Sequence, residues 1–202
     1  PLILPSGMGG ASQKGVGPNS RINVGLIGIG RRTTGIASAL SESLDAQMVA
    51  VSDCVDARLE HGVGHLKKLY KKQKRASDGV RAHRNFRAII EDKSIDGVVI
   101  GTPDHWHAVM AVMAAKAGKH IYCEKPLTRT IGEGRAVVKA ARENNIVFQT
   151  GSQQRTEYGG KFRTAVEYVR SGRIGDLKKI YIGVGGPPVP DNLPDETLPT
   201  GI

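Results

Sequence analysis

Ile22-Asn23-Val24-Gly25-Leu26-Ile27-Gly28-Ile29-Gly30 constrains this chain more than any other stretch. The apolar run Ile22 to Ile27 predicts a buried strand. Gly28 and Gly30 predict a tight turn, and a helix is expected from Arg31. Such a turn brings backbone N–H groups close to a pyrophosphate, with the positive end of the helix dipole behind them. The third glycine of a G-x-G-x-x-G pattern falls at Thr33, and the next glycine is Gly35. Two glycines after a strand also fit an ordinary strand-to-helix turn. A dinucleotide site further needs an acidic residue about 20 positions on, closing a second strand. Met48-Val49-Ala50-Val51-Ser52-Asp53 supplies it.

The rest of the chain alternates strands with helices. Arg31 to Leu44 carries Ile36, Leu40 and Leu44 on one helical face. Asp56 to Gln73 is amphipathic, with Leu59, Val63, Leu66 and Tyr70 in one stripe. An edge strand is expected over Val80 to Asn85 and a short helix over Phe86 to Glu91. Val98-Val99-Ile100 lies within a buried strand, and Thr102 to His107 follows as a loop. Ala108 to Ala117 is a helix stopped by Gly118. His120 to Cys123 and Ile146 to Thr150 read as strands around a helix from Ile131 to Asn144. This alternation predicts an α/β fold, a doubly wound parallel sheet covered on both faces. After Thr150 the pattern changes. Lys161 to Arg170 has helical spacing, and Ile174 to Val184 reads as a strand entering a new sheet.

Three regions are therefore expected: a flexible leader or processing remnant (1–20), rich in Gly, Ser and Pro; a nucleotide domain (21–150); and the beginning of a second domain (151–202). One helix and one strand cannot enclose a core, so that second domain reads as incomplete, its lone strand prone to aggregation.

Hydrophobic residues make up 39% of the 202, and aromatics only 4%, so the core is expected to be aliphatic. No apolar run reaches the length of a membrane span. A net charge of +10 favours anionic partners, a dinucleotide or a nucleic acid. Lys67, Lys68, Lys71, Lys72, Lys74 and Arg75 are the best argument for nucleic acid. With only Tyr70 beside them for stacking, they read better as a solvated helix face. Cys54 and Cys123 make no C-x-x-C pair. His105 and His107 have no evident third ligand, and His61 and His65 lack the glutamate of H-E-x-x-H, so no metal site is expected. Thr102 to His107 lines a nucleotide or substrate pocket in one reading and is a turn with a packed tryptophan in the other. Lys125 is either a surface Lys-Pro turn or a buried lysine that handles a hydroxyl proton while hydride moves.

Together these residues resemble the glucose–fructose oxidoreductase / inositol dehydrogenase / MocA (Gfo/Idh/MocA) family over about Arg21 to Val184. The most specific marks are the glycine turn, Val51-Ser52-Asp53, Thr102-Pro103-Asp104-His105-Trp106-His107, Glu124-Lys125-Pro126 and Thr150-Gly151-Ser152-Gln153-Gln154-Arg155. The resemblance implies a Rossmann-type domain followed by the start of an α+β domain with a mostly antiparallel sheet. It implies NAD, with NADP less favoured because Asp53 would hold the adenosine ribose; Arg31, Arg32 and Arg58 stand against that preference. Gly28, Ile29, Gly30, Arg31 and Arg32 would hold the pyrophosphate through backbone N–H groups. Thr102, Pro103, Asp104, His105, Trp106 and His107 would border the cofactor. Glu124 and Lys125 would sit beside the nicotinamide, Gln153 would approach it from the domain junction, and Lys125 would be catalytic. The implied activity is hydride transfer between NAD and a carbohydrate or polyol carbon. A redox-assisted glycosidase or lyase of the same fold, and a non-catalytic dinucleotide sensor or nucleic-acid binder, are the alternatives. A homo-oligomer is implied. Leu2-Ile3-Leu4-Pro5-Ser6 resembles the tail of an export signal, with a cytoplasmic location as the alternative.

Overall fold

A computed structural model of the chain describes residues 20–76, 79–153, 158–183 and 185. The described residues up to Gly151 belong to one compact unit, and those from Ser152 to a second.

The first unit is a six-stranded, wholly parallel sheet. Its strands are β1 (Ile22–Ile27), β2 (Ala46–Ser52), β3 (Arg81–His83), β4 (Gly97–Ile100), β5 (His120–Glu124) and β6 (Phe148–Gly151), in spatial order β3-β2-β1-β4-β5-β6. The intervening helices are α1 (Arg31–Ser41), α2 (Asp56–Lys72), α3 (Arg87–Glu91), α4 (Asp104–Lys116) and α5 (Ile131–Glu143). β4 is buried throughout and β1 from Val24 to Ile27, as strands covered on both faces must be. Two aliphatic cores result. Ile36, Leu59, Leu66 and Tyr70 of α1 and α2 pack on one face with Leu26 and Val51. Ala108, Met110, Ala111 and Val137 of α4 and α5 pack with Ile27, Val98 and Ile100 on the other. Among the described residues Tyr70 is the largest fully buried side chain, and its hydroxyl donates to the Met48 carbonyl (2.8 Å) and accepts from the Met48 N–H (2.7 Å). The chain turns in opposite directions after β1 and after β4. A crevice therefore opens between their carboxyl ends, where ligands of open α/β sheets bind.

Several elements differ from the sequence reading: α1 ends at Ser41, leaving Leu44 beyond the helix and exposed, and β6 begins at Phe148, not Ile146. Thr102 to His107 is not a loop throughout, because α4 begins at Asp104. Pro103 is the N-cap and Asp104 adds a carboxylate to the first turn, a favoured start beside the positive helix end. The expected strand over Ile174 to Val184 is not formed in described residues 174–183, which carry no regular element; Val184 lies outside the described residues. A strand needs a neighbour to take up its N–H and C=O groups, and the described part of this second unit contains no other strand. Its helix α6 (Lys161–Arg170) coincides with the predicted span but buries none of its residues. The leader lies outside the described residues apart from Ser20.

Candidate functional site

The glycine turn sits at the carboxyl end of β1. Gly28 adopts φ +82°, in the left-handed region, and packs flat against the next loop: a Cβ there would lie 2.7 Å from the Thr102 nitrogen and 2.8 Å from its Cα. Only glycine satisfies both demands. Gly30 differs. Its backbone is extended, and a Cβ would project into open space with no atom within 4 Å. Gly30 caps α1 with no side-chain hydrogen bond, so the first turn of α1 faces the crevice uncapped.

Thr33, in place of the third glycine, is fully buried, and its hydroxyl donates to the Gly28 carbonyl (2.6 Å). Room for it comes from Gly101, at the end of β4, where any Cβ would overlap the Thr33 hydroxyl. Gly101, just after β4, supplies the close helix–strand approach that a glycine at position 33 would otherwise give.

A cleft of about 430 Å³ lies over this edge. Gly28, Gly30, Asp53, Thr102, Pro103 and Trp106 line it, as expected. Asp53 is buried, with one carboxylate oxygen accepting from the Ile29 N–H (2.7 Å) and the other from the Val55 N–H (3.0 Å). Each oxygen retains lone-pair capacity for a ribose hydroxyl. The hydrogen bond to Ile29 corrects one expectation. That N–H is already taken and the Ile29 side chain faces Gly62, so Ile29 braces the turn rather than holding a phosphate.

Arg31 stands exposed at the start of α1. Arg32 points to β5, where its Nε lies 3.1 Å from a carboxylate oxygen of Glu124. That oxygen also accepts from the Tyr122 hydroxyl (3.2 Å), and the other accepts from the Lys125 N–H (3.3 Å). The buried Glu124 thus ties α1 to the end of β5. Burial, then the Glu124 carboxylate, raises the Tyr122 hydroxyl above its ordinary pKa. The same two causes push the Cys123 thiol up to about 12.

Lys125 is exposed, in keeping with a surface Lys-Pro turn; its own chain does not bury it, so the other reading needs a nicotinamide beside it. Asp104 and His105 are also exposed, 3.8 Å apart, and do not line the cleft. His107 is 1% exposed, because α4 begins early enough to turn it inward. Its Nδ1 lies 2.7 Å from the Pro126 carbonyl oxygen and its Nε2 2.8 Å from that of Thr102. It is a packed connector, not a cleft wall. Gln153 belongs to the second unit. No group of three metal-ligating side chains occurs among the described residues.

Sequence reasoning left Cys54, Arg84, Phe86 and Met110 out of the cleft lining. Arg84 and Phe86 follow β3, a strand the periodicity located. The rule that ligands gather after strands would have found them. Phe86 meets Trp106 edge-on, at 6.1 Å between ring centroids.

A parallel sheet in this order, a glycine turn at β1, an acid closing β2 and an uncapped helix N-terminus facing the crevice define a dinucleotide-binding Rossmann domain. The comparisons agree. Residues 22–152 match the model of the Gfo/Idh/MocA oxidoreductase family, NAD-binding Rossmann fold, and the chain belongs to that family. It is similar to the levoglucosan dehydrogenase of Pseudarthrobacter phenanthrenivorans (43% identity over 46% of this chain and 23% of that one). It is also similar to the inositol 2-dehydrogenase of Rhizobium meliloti (31% over 84% and 47%). Among solved structures it resembles the myo-inositol 2-dehydrogenase of Lactobacillus plantarum (TM-score 0.63, 26% identity, 78% of this chain and 43% of that one). The chain spans less than half the length of each.

Proposed function

We propose that the chain carries the dinucleotide-binding part of an oxidoreductase that moves hydride between NAD and a hydroxyl-bearing carbon of a carbohydrate or polyol. One observation carries this reading: at the β1/β4 switch point the N-terminus of α1, without a side-chain cap, stands at a cleft lined by Gly28, Gly30 and Asp53, and Glu124 closes β5, the strand beside β4, with Lys125 next after it. The open space at Gly30, which any side chain would occupy, fits a pyrophosphate drawn close to the backbone. NAD, when bound, supplies the hydride acceptor. The chain's own residues do the rest. The backbone N–H groups at the start of α1 would hold the phosphates, and Asp53 would accept from the ribose. Lys125 takes or returns the proton of the substrate hydroxyl. Relatives named as dehydrogenases of inositol and levoglucosan support the substrate class.

The decisive variant is Lys125→Met, measured in the whole protein as NAD reduction across a panel of sugars and cyclitols. Turnover is expected to fall about 10²–10⁴-fold, the usual contribution of a general acid–base group, with NAD affinity nearly intact. Near-normal turnover would remove Lys125 from the mechanism. NAD is expected to bind more tightly than NADP, because the Asp53 charge repels a 2′-phosphate. Arg32 and Arg84 already face the carboxylates of Glu124 and Asp56. Calorimetric titration with both cofactors checks this, and tighter binding of NADP would overturn it.

The same reading takes the protein as exported, from the resemblance of Leu2 to Ser6 to an export-signal tail, and as a homo-oligomer. Cell fractionation and sedimentation of the whole protein test the two; a cytoplasmic protein or a monomer would refute them.

A further inference from the structure

A lysine that moves a proton must present its amine at one place, yet Lys125 is exposed and sits in a bend after β5. Two buried side chains hold that bend. On one side the Glu124 carboxylate accepts from the Lys125 N–H (3.3 Å). On the other, His107 Nδ1 lies 2.7 Å from the carbonyl oxygen of Pro126, the next residue. The far end of the same ring reaches the Thr102 carbonyl oxygen at 2.8 Å. The Thr102 backbone is the surface against which Gly28 packs, close enough that a Cβ on Gly28 would strike its nitrogen. One rigid, buried ring therefore spans from the floor of the glycine turn to the segment that carries Lys125. His107 does not itself line the cleft. Its effect on a bound ligand must pass through the two backbone segments it joins.

We propose that His107 is a positioning residue, holding the Lys125–Pro126 turn at a fixed place relative to the glycine turn so that the Lys125 amine faces the nicotinamide end of a bound dinucleotide. The inference rests on the reading of Lys125 given above. A rigid ring suits the task, because its two nitrogens stand at opposite ends and its fixed length sets the separation of two carbonyls that share no strand or helix, the tautomer deciding which nitrogen donates. A Glu124 contact alone would leave the bend pinned on one side.

A purely structural histidine would contribute to stability and leave the lysine's placement unchanged, so the test reads the lysine itself. The whole protein is treated with an amine-acylating reagent, with and without NAD, and Lys125 modification is followed by peptide mass mapping. With NAD at about ten times its Kd, the free fraction, and with it the Lys125 labelling rate, is expected to fall about tenfold in the unaltered protein. In His107→Leu, NAD still binds by calorimetry but the protection of Lys125 is lost. In His107→Gln, which returns one donor, protection is partly restored. Where His107→Leu does not fold, His107→Gln decides alone, with protection expected below that of the unaltered protein. Full protection in a folded, NAD-binding variant overturns the inference and leaves the proposed function standing. So does an unaltered protein that binds NAD without shielding Lys125. No binding of NAD by the unaltered protein overturns the proposed function first, and this inference with it.

Discussion

Gly28 and Gly30 stand two positions apart and face opposite constraints. Gly28 needs its left-handed φ and the space that Thr102 leaves. Gly28→Ala is therefore expected to destabilise the domain by about 2 kcal/mol or more, combining backbone strain with overpacking. Gly30 has an ordinary extended backbone and open space around its Cα. Gly30→Ala should leave the unfolding free energy within about 0.5 kcal/mol of the original, as surface changes do. On the proposed function it should nonetheless weaken NAD binding about tenfold or more, the equivalent of roughly 1.4 kcal/mol, because the methyl would enter the open space assigned to the phosphates. Denaturant unfolding and calorimetric titration of the two variants check the contrast. Equal loss of stability in both would show that the turn is rigid throughout. The spacing of the two glycines announced the turn, but it could not say which glycine the fold itself requires. That distinction depends on Thr102, over 70 residues away in sequence.

At the level of elements, α1 packs on the sheet through a threonine and a glycine that belong together. Gly101→Ala forces a methyl into the Thr33 hydroxyl and is expected to cost about 1–3 kcal/mol. Thr33→Ala loses the hydrogen bond to Gly28 and is expected to cost about 1 kcal/mol. The double variant should cost less than the sum by about 1 kcal/mol or more, since residues in contact couple. Strict additivity in urea unfolding would refute the pairing. The sequence showed the absence of the third glycine but gave no sign of its replacement, since nothing local to Gly101 reports what crosses above it. The early start of α4 was missed for a related reason. Asp104-His105-Trp106-His107 is polar enough to read as a loop, and burial of His107 against two carbonyls is what draws the segment into the helix.

For the whole molecule, charge and burial set the response to pH. The Cys123 thiol is pushed up to about 12 by burial and then by Glu124, and burial is also the largest cause raising Tyr70. Both groups are neutral when protonated, and the folded chain holds their protons more tightly than the unfolded chain. Their stabilisation is complete below the unfolded values, about 8.5 for a thiol and about 10 for a phenol. It is lost as pH rises past them toward the folded values. Urea unfolding between neutral and strongly alkaline pH should show a declining stability whose slope is shallower in Cys123→Ala. Identical slopes would refute the assignment. Cys54, exposed at the cleft, should react with thiol reagents in the folded protein long before Cys123 does.

Local pattern determined the parallel α/β architecture, since apolar runs bounded by glycines and stripes of helical period each depend only on neighbours in sequence. It placed β1 and α6 at their observed bounds and located Gly28, Asp53, Thr102 and Glu124 at strand ends. Tertiary structure decided everything that depends on which strand ends meet. It spent the Ile29 N–H on Asp53, turned Arg32 away to Glu124, and brought Arg84 and Phe86 beside the cleft. Among the described residues of the second unit, 174–183 have no other strand to pair with. A side chain's period along the chain fixes the face it occupies, but its hydrogen-bond partners are set by packing between segments far apart in sequence.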